Sequence, residues 1–285
     1  MTEPVVISRY QLHLSRQGRE ASARQGSYAE IFPSDLPGDR AQEAACGYVH
    51  SIEVGSTVDG PGIRFVLFLT GCPLRCQYCH NPDTWHKLNG KPYTIDRIMR
   101  EIEKYVDVLR ISNGGLTISG GEPVMQDAFT MEIFRRTKAL GLHTCLDTSG
   151  RLGERLSDDD LFQIDLNLLD IKSGDPDIYE RVTGQPLAPT LDYARRLSDL
   201  KRPLWVRYVL VPGLTDGYDN VARVADICAG LASLERVEVL RFHQMGLEKY
   251  RKLKISYPLE HALPPTPELT ERVREQFRAR GLTVF

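Results

Sequence analysis

From Gly47 onward, short apolar runs alternate with segments whose apolar residues recur at helical spacing. The apolar runs are four to eight residues long and are bounded by turn-forming residues, a pattern typical of buried strands. Six such runs predict strands at residues 64–69, 116–119, 143–147, 165–171, 204–211 and 237–242.

Helical periodicity fills the gaps between these predicted strands. Thr94 is a suitable N-cap for the first helix, whose apolar residues recur at Ile95, Ile98, Ile102, Val106 and Leu109. Further helices are predicted at 129–140, 191–200 and 220–231, and a last one begins at Thr266-Pro267 and stops at Gly281. Alternation of strands and helices predicts a parallel sheet.

The predicted fold is therefore α/β, an open, partial (β/α)6 barrel of the TIM type. Six strands are fewer than the eight that close a full barrel, so the barrel should have a lateral mouth. Polar residues follow the carboxyl ends of the predicted strands, where parallel barrels place their active sites. A lateral mouth at that end would suit a macromolecular substrate.

Residues 1–45 differ from the rest of the chain. They carry charged residues among Ser, Gln and Gly with little apolar periodicity, which predicts a flexible N-terminal extension. An organellar transit peptide is a second interpretation, although such leaders are poor in acidic residues and this segment is not. Residues 46–285 are predicted to form one core domain, because a chain of 285 residues with 41% hydrophobic residues can bury a single large core.

The composition limits the classes of partner and the cellular compartment that we expect. The formal net charge is -2 and the pI is about 6.4, whereas nucleic-acid-binding proteins carry a basic stripe or a high pI, so no nucleic-acid partner is expected. No apolar run approaches the ~20 residues that span a bilayer, and the first residues lack the regions of a secretory signal. We expect a cytoplasmic protein with no membrane segment. In a reducing cytoplasm, clustered thiols indicate a metal centre rather than disulfides.

The most informative segment is the cysteine loop, residues 71–81, which carries Cys72, Cys76 and Cys79 in the spacing C-x3-C-x2-C. A protein-saturated cubane cluster needs four thiolates and a structural zinc site needs four ligands, but this loop offers three thiols. If they bind three irons of a [4Fe-4S] cluster, the fourth iron is open for a chelating substrate. His80 could instead complete a Cys3His zinc knuckle. The remaining cysteines lie singly and are interpreted as small core residues: Cys46, Cys145 and Cys228.

Several motifs accompany the cysteine loop in a fixed order. They are residues 56–65 (STVDGPGIRF), 80–85 (HNPDTW), 119–122 (SGGE), 143–150 (HTCLDTSG) and 205–213 (WVRYVLVPG). Together with the loop they resemble the pyruvate formate-lyase activating enzymes, a family of radical S-adenosylmethionine (radical SAM) enzymes. The resemblance covers essentially everything after residue 46.

The resemblance implies an oxidoreductase that serves anaerobic glucose metabolism. In this family a reduced [4Fe-4S] cluster passes one electron to S-adenosyl-L-methionine, which splits into methionine and a 5'-deoxyadenosyl radical. That radical removes a hydrogen atom from a glycine α-carbon of pyruvate formate-lyase, which then stores a glycyl radical. The resemblance also implies flavodoxin or ferredoxin as the electron donor, and we expect a monomer.

Residues that contact S-adenosylmethionine are implied by the same resemblance. Gly121 follows a strand end, where a glycine lets the backbone approach a ligand closely, and Glu122 could accept from the methionyl ammonium. Lys172 offers donors to the carboxylate or ribose, and Asp170 can balance the sulfonium charge, although a rim salt bridge is an alternative interpretation. The implied set is Tyr78, Cys79, His80, Gly121, Asp170, Ile171, Lys172 and His243.

Two further sites are implied. A monovalent cation would be held by oxygen atoms of Asp147, Thr148 and Asp170, with a backbone carbonyl near Leu168 completing the shell. Asp59, in the turn at residues 59–62, would position the glycyl loop of the partner, although the composition of that segment also fits a simple turn into the first strand.

Three other functions remain open. The chain could activate a different glycyl radical enzyme, although many of those activases carry a cysteine-rich insert after the cluster loop and residues 85–116 contain no cysteine. It could be a radical SAM enzyme that acts on a small molecule. It could also be a zinc-binding module without catalytic activity.

Overall fold

Eight strands form one sheet in the computed structural model, which describes residues 45–285. The strands are β1 (Cys46–Ser56), β2 (Arg64–Leu69), β3 (Lys91–Thr94), β4 (Gly115–Gly120), β5 (His143–Thr148), β6 (Leu166–Asp170), β7 (Leu204–Leu210) and β8 (Leu234–Arg241). The predicted extension at residues 1–45 lies, apart from its last residue, outside the described residues.

Six neighbouring strands run parallel, in the order β2-β4-β5-β6-β7-β8. They correspond to the six predicted apolar runs, and the open (β/α)6 barrel is confirmed. The sheet is nevertheless larger than predicted, because β1 and β3 extend it beyond β2, and β1 pairs antiparallel with both of its neighbours.

The two additional strands give weak sequence signals. Strand β3 is four residues long and contains Pro92, a residue that is tolerated on an edge strand but argues against a central one. Strand β1 is only partly buried, and its register with β2 shifts between Val54 and Ser56. Neither segment therefore shows a buried apolar run like that of β2.

The described chain also contains nine α-helices. They are α1 (Ile95–Glu103), α2 (Val106–Ile111), α3 (Asp127–Ala139), α4 (Asp158–Phe162), α5 (Pro176–Thr183), α6 (Ala188–Asp199), α7 (Tyr218–Ala229), α8 (Leu247–Leu253) and α9 (Pro267–Arg278). Short 3-10 turns span Pro82–Thr84, Lys87–Asn89, Pro123–Gln126 and Gly153–Arg155. The helices predicted at the positions of α3, α6, α7 and α9 are confirmed, whereas α4, α5 and α8 were not predicted.

The first predicted helix is interrupted. Thr94 caps α1 as expected, since its side chain accepts a hydrogen bond from Arg97 N. The helix ends at Glu103, however, and α2 starts after Tyr105, whose backbone leaves the helical region (φ -119°, ψ 4°). The Tyr105 ring packs on Phe65 with 6.1 Å between the ring centroids. This tertiary contact has no counterpart in the helical periodicity.

The core lies between the parallel strands and the helices. Phe65, Leu67 and Ile118 are fully buried within β2 and β4, and Ile98 of α1 and Phe134 of α3 are buried in the same cluster. No helix within residues 45–285 is both long enough and apolar enough to cross a bilayer.

Candidate active site

The carboxyl ends of the parallel strands surround a cavity of about 410 Å³. The cysteine loop follows β2 and forms one wall. The ends of β4, β5, β6, β7 and β8 complete the wall with the side chains of Ser119, Glu122, Asp147, Thr148, Ser149, Asp170, Lys172, Arg207 and His243, among others. The polar residues predicted to gather at this end of the barrel therefore meet in one place.

Backbone hydrogen bonds hold the cysteine loop in place. Cys72 N donates to Trp85 O at 3.0 Å and Cys79 N donates to Cys76 O at 3.0 Å, which closes a turn. Arg75 N and Gln77 N donate to the carbonyls of Thr183 and Val182 at the end of α5, at 2.8 and 2.9 Å. The loop is thereby fixed to the barrel on both sides of Cys76.

The three thiols fit a cationic cluster. Cys72, Cys76 and Cys79 all line the cavity, whereas Cys145 and Cys228 are buried elsewhere and Cys46 is exposed. Burial raises the pKa of each loop thiol, to about 12 for Cys76. Thiolate ligands must lose their protons, so a positive group has to compensate their charge at this wall. An iron–sulfur core provides that charge, and the donor set matches its three-cysteine form.

In a zinc knuckle His80 would join the three thiols through its Nδ1, because Nε2 already has a backbone partner. Its Nε2 lies 3.1 Å from His243 O, and the two imidazole rings stack with 4.2 Å between their centroids. Burial lowers the pKa of His80, which keeps its ring neutral.

The glycine pair after β4 allows two chain segments to meet at the cavity. Gly121 N donates to Leu69 O at 2.9 Å, and Glu122 N donates to Gly71 O at 2.7 Å. A Cβ atom on Gly121 would come within 2.3 Å of Gly71 O. Gly120 has φ +113°, a conformation that favours glycine. The turn thus needs glycine to lie against the cysteine loop.

Glu122 organises the end of β5. Its carboxylate is buried and accepts hydrogen bonds from Thr148 Oγ1 at 2.7 Å, from Ser149 N at 2.9 Å, from Ser149 Oγ at 2.5 Å and from Val124 N at 3.3 Å. Burial raises its pKa, and the bonds from Ser149 and Thr148 oppose that rise. Both carboxylate oxygens already have partners, so the structure gives Glu122 a local scaffolding role.

Lys172 and Asp170 form a pair on the cavity wall. Lys172 Nζ donates to Asp170 Oδ2 at 2.6 Å, and the Lys172 side chain is 10% exposed. Burial is the largest single influence and favours a lower pKa for Lys172, but Asp170, Tyr78 and Cys76 together outweigh it and raise the pKa well above its ordinary value. The ammonium therefore stays charged. Tyr78 lies beside it, with Lys172 Nζ 5.7 Å from the ring centroid, and its buried hydroxyl has no partner among the described residues.

Arg207, on β7, was not identified from the sequence as a site residue, yet several carboxylates surround it. It is 8% exposed, and its guanidinium lies 3.5 Å from Asp147, 3.8 Å from Asp59 and 3.1 Å from Glu238, while it donates to Val58 O at 2.5 Å. These carboxylates raise its pKa against the effect of burial. The available signal was a single charged residue inside an otherwise apolar strand.

Three of the four residues predicted for the cation site lie together. Asp147, Thr148 and Asp170 line the cavity, whereas Leu168 is fully buried opposite Asp147 in the pairing of β5 with β6 and does not line it. Burial raises the pKa of Asp147 to about 6, Arg207 opposes this rise and the charge of Asp170 adds to it. Ser119 Oγ donates to Asp147 at 2.6 Å.

Most of the remaining predicted site residues also line the cavity, and two of them do not. Tyr78, His80, Gly121 and His243 line the cavity with the charged pair. Ile171 is fully buried in the core and does not line it, although its amide donates to Arg207 O at 3.2 Å. Asp59 lies in the loop between β1 and β2, where it accepts from Ser56 Oγ at 2.6 Å. The assignments of these residues to ligands stay predictions.

Comparison with known proteins places these features in a family. The 4Fe-4S single cluster domain family matches residues 58–173. The pyruvate formate-lyase-activating enzyme of Staphylococcus epidermidis is 43% identical over 240 residues, covering 81% of this chain and 94% of that protein. The enzyme of the same name from Staphylococcus aureus (strain USA300) is 42% identical over 246 residues, covering 82% and 96%.

Solved structures agree on the fold. A radical SAM methyltransferase from Sphaerobacter thermophilus has a TM-score of 0.57 at 16% identity and covers 84% of this chain and 76% of that one. Streptococcus suis SuiB, solved with its precursor peptide SuiA, has a TM-score of 0.59 at 17% identity, covering 79% and 48%. The fold is that of radical SAM enzymes, and the chain belongs to the pyruvate formate-lyase-activating enzyme family.

Proposed function

We propose that this protein activates pyruvate formate-lyase by generating a glycyl radical on it, using a [4Fe-4S] cluster and S-adenosyl-L-methionine. The observation that carries the proposal is the position of Cys72, Cys76 and Cys79 on one wall of the strand-end cavity. The identity of more than 40% to activating enzymes over nearly their whole length supports the choice of partner.

The cavity is built to hold a cluster with a small cationic ligand beside it. When bound, the cluster and S-adenosylmethionine supply a one-electron reductive cleavage that leads to hydrogen-atom abstraction from a glycine α-carbon. The protein's part is to bind, to orient and to exclude water. No group on the wall has to act as a general base, because a hydrogen atom moves rather than a proton.

Charged and aromatic side chains on the wall divide the binding task. The charged Lys172 ammonium offers donors to a carboxylate or a ribose hydroxyl, and Asp170 beside it offsets the positive charge of a sulfonium. The Gly121 backbone approaches the ligand at the turn after β4, where a side chain would not fit. The Tyr78 ring lies 5.7 Å from Lys172 Nζ, and its hydroxyl has no partner among residues 45–285. His243 and His80 border the same cavity from the end of β8 and from the cysteine loop.

The acidic residues beside Arg207 would bind a monovalent cation and position a peptide of the partner. Asp147, Thr148 and Asp170 present oxygen atoms to one region of the cavity, and hard monovalent cations prefer such ligands. Asp59, held by Ser56 and facing Arg207 at 3.8 Å, positions the partner's glycyl loop. Leu168, in β6, and Ile171, the residue after β6, contribute backbone atoms to these sites rather than side chains.

The working form proposed here is a cytoplasmic monomer that takes its electron from flavodoxin or ferredoxin. Residues 46–285 form the catalytic domain, and residues 1–45 form a separate extension. Size-exclusion chromatography with light scattering tests the monomer. Anaerobic reduction of the cluster by each candidate donor in turn tests the electron source.

Isotope transfer tests the activation itself. The reconstituted enzyme is incubated with dithionite, S-adenosylmethionine and pyruvate formate-lyase grown on α-deuterated glycine. The proposal predicts deuterium in the 5'-deoxyadenosine product. Cleavage of S-adenosylmethionine with no deuterium transfer would contradict the choice of partner, and transfer only from another glycyl radical enzyme would assign the chain to that enzyme.

A further inference from the structure

The loop between β1 and β2, residues 57–63, crosses the open barrel. It leads into the amino end of β2, yet its Val58 carbonyl accepts a hydrogen bond from Arg207 of β7 at 2.5 Å. Its Asp59 carbonyl accepts from the Oγ1 of Thr117, in the middle of β4, at 2.6 Å. The loop is therefore tied to two strands on opposite sides of the barrel, and we refer to residues 57–63 as the crossing loop.

A buried arginine fixes the hydroxyl that holds this loop. Arg64 is fully buried, and its Nε donates to Thr117 Oγ1 at 2.9 Å. Its Nη1 donates to Pro61 O at 3.2 Å, and its Nη2 donates to Leu116 O at 2.5 Å. The Thr117 hydroxyl thus accepts from Arg64 and donates to Asp59 O. Because Thr117 is also fully buried, losing this hydroxyl would leave buried groups unpaired.

The crossing loop presents two groups that a peptide can use. Asp59 Oδ2 accepts from Ser56 Oγ at 2.6 Å, whereas Asp59 Oδ1 lies 3.8 Å from Arg207 Nη1, outside hydrogen-bond distance. Asp59 Oδ1 can therefore accept a backbone N–H of a bound segment. The adjacent Val58 side chain is 73% exposed although its carbonyl is held by Arg207. An apolar contact is thus available at a fixed position.

Arg207 connects the crossing loop to the strand-end cavity. Its side chain lines the cavity, and its Nη1 lies 3.5 Å from Asp147 and 3.8 Å from Asp59. A segment bound against Val58 and Asp59 would therefore have its tip beside Asp147. The cavity has a volume of about 410 Å³, and a cluster and its ligand would fill part of it, so the tip should carry no side chain. A peptide loop with glycine at its tip meets that requirement.

We propose that Thr117 and Arg64 are positioning residues that hold the crossing loop as a preformed binding surface for the partner's glycyl loop, with Val58 as an apolar contact. This inference rests on the proposed function, which supplies the partner, and it adds three residues to a peptide site represented so far by Asp59. Thr117 and Arg64 act through the backbone of the crossing loop. A preformed surface lowers the entropic cost of binding, so a loosened loop should bind the partner more weakly.

The test is the steady-state activation of pyruvate formate-lyase, with glycyl-radical formation followed by electron paramagnetic resonance. Thr117→Val keeps the size of the side chain and removes the hydroxyl, so KM for the partner should rise about tenfold with kcat unchanged. Thr117→Ser keeps the hydroxyl and should restore the wild-type KM. Thr137→Val is the matched control, because Thr137 is fully buried and its hydroxyl has no partner among residues 45–285.

A second variant changes the surface of the crossing loop without touching its buried bonds. Val58→Ser removes the exposed apolar side chain and should raise KM for the partner about fivefold. Val108→Ser, at a valine of α2 that is 53% exposed, should give the wild-type KM. A wild-type KM in both Thr117→Val and Val58→Ser would overturn the inference.

Hydrogen–deuterium exchange of the reconstituted enzyme, without partner, separates the inference from the proposed function. Residues 57–63 should exchange about tenfold faster in Thr117→Val than in wild type, and at the wild-type rate in Thr117→Ser and Thr137→Val. Unchanged exchange in Thr117→Val would overturn the positioning role whatever the partner is. Faster exchange in an enzyme that activates no pyruvate formate-lyase would uphold the positioning role and refute only the proposed function.

Discussion

Lys172 Nζ and Asp170 Oδ2 lie 2.6 Å apart at the carboxyl end of β6, and both side chains face the cavity that the three loop cysteines line. The pair places a fixed positive and a fixed negative charge two residues apart on one wall. A zwitterionic ligand with a sulfonium would meet complementary groups there.

Lys172→Met should weaken S-adenosylmethionine binding about tenfold or more, or about 1.4 kcal/mol. The loss follows because the ammonium donates to the ligand and because Asp170 is left without its partner. Equilibrium dialysis of the reconstituted enzyme measures the change. Lys138→Met, which breaks the partly exposed pair with Asp165, serves as the control and should bind as wild type does. Equal affinity in both variants would remove Lys172 from the ligand site.

Glu122→Gln should lower the free energy of unfolding by about 1–3 kcal/mol. Both oxygens of the buried carboxylate accept hydrogen bonds from Thr148 and Ser149, and an amide NH2 cannot accept them. Chemical denaturation of the cluster-free protein gives the value. Glu154→Gln changes an exposed glutamate and should leave stability within about 0.5 kcal/mol of wild type. A Glu122→Gln protein as stable as this control would contradict the scaffolding role.

Asp147 should make folding stability fall as pH rises towards neutrality. Its folded pKa of about 6 lies above the ordinary value of 3.8, so the native state holds the proton more tightly than the unfolded chain. The stabilising contribution is complete below pH 3.8 and is lost as pH rises through 6. Relative to Asp147→Asn, wild type should lose about 1–3 kcal/mol between pH 4 and 7. A flat difference across that range would contradict the raised pKa.

A bound monovalent cation should reverse this loss. The cation requires ionised Asp147, so KCl should stabilise wild type more at pH 7 than at pH 5 when choline chloride serves as the ionic-strength control. Asp147→Asn should show no such difference. Equal stabilisation by the two salts would argue against the cation site.

His143 should make folding stability fall as pH decreases, the opposite of the effect of Asp147. Burial and the charge of Arg64, whose NH1 lies 3.3 Å from His143 Nδ1, lower the pKa of His143 from 6.5 to about 4. The stabilising contribution is present above pH 6.5 and is lost as pH falls through 4. Relative to His143→Gln, wild type should lose about 1–3 kcal/mol over that interval. His261→Gln, at an exposed position, should not alter the slope, and an equal slope in all three proteins would contradict the buried neutral imidazole.

The parallel part of the fold could be predicted because strands such as β2 and β6 are apolar runs buried along almost their whole length. Strand β8 alternates polar and apolar residues and is partly exposed, but it follows a predicted helix in the same strand–helix rhythm. Strands β1 and β3 could not be predicted, since antiparallel edge strands depend on partners outside their own sequence and β3 even contains Pro92. The break between α1 and α2 has the same origin. Tyr105 leaves the helix where its ring meets Phe65, and helical periodicity carries no record of that contact.

The cysteine loop could be predicted because its three thiols lie within eight residues of sequence, in a spacing that is specific to a cluster site. The charges around them are brought together by the barrel. Arg207 reaches Asp59 and Asp147 from a different strand, and Glu122 reaches across to Ser149. Only the folded arrangement shows that Glu122 holds β5. The contact of Glu122 with the methionyl ammonium, which the family resemblance implied, stays a prediction.

As an activating enzyme, this protein should place a radical on a glycine of pyruvate formate-lyase. Electron paramagnetic resonance of the partner after anaerobic incubation with reconstituted enzyme, dithionite and S-adenosylmethionine tests it most directly. A glycyl-radical doublet should form with wild type and with Cys228→Ala, which alters a buried cysteine away from the cavity. It should be lost with Cys76→Ala. A reduced cluster that cleaves S-adenosylmethionine without producing the doublet would contradict the assigned partner, and a protein that assembles no cluster would contradict the radical chemistry itself.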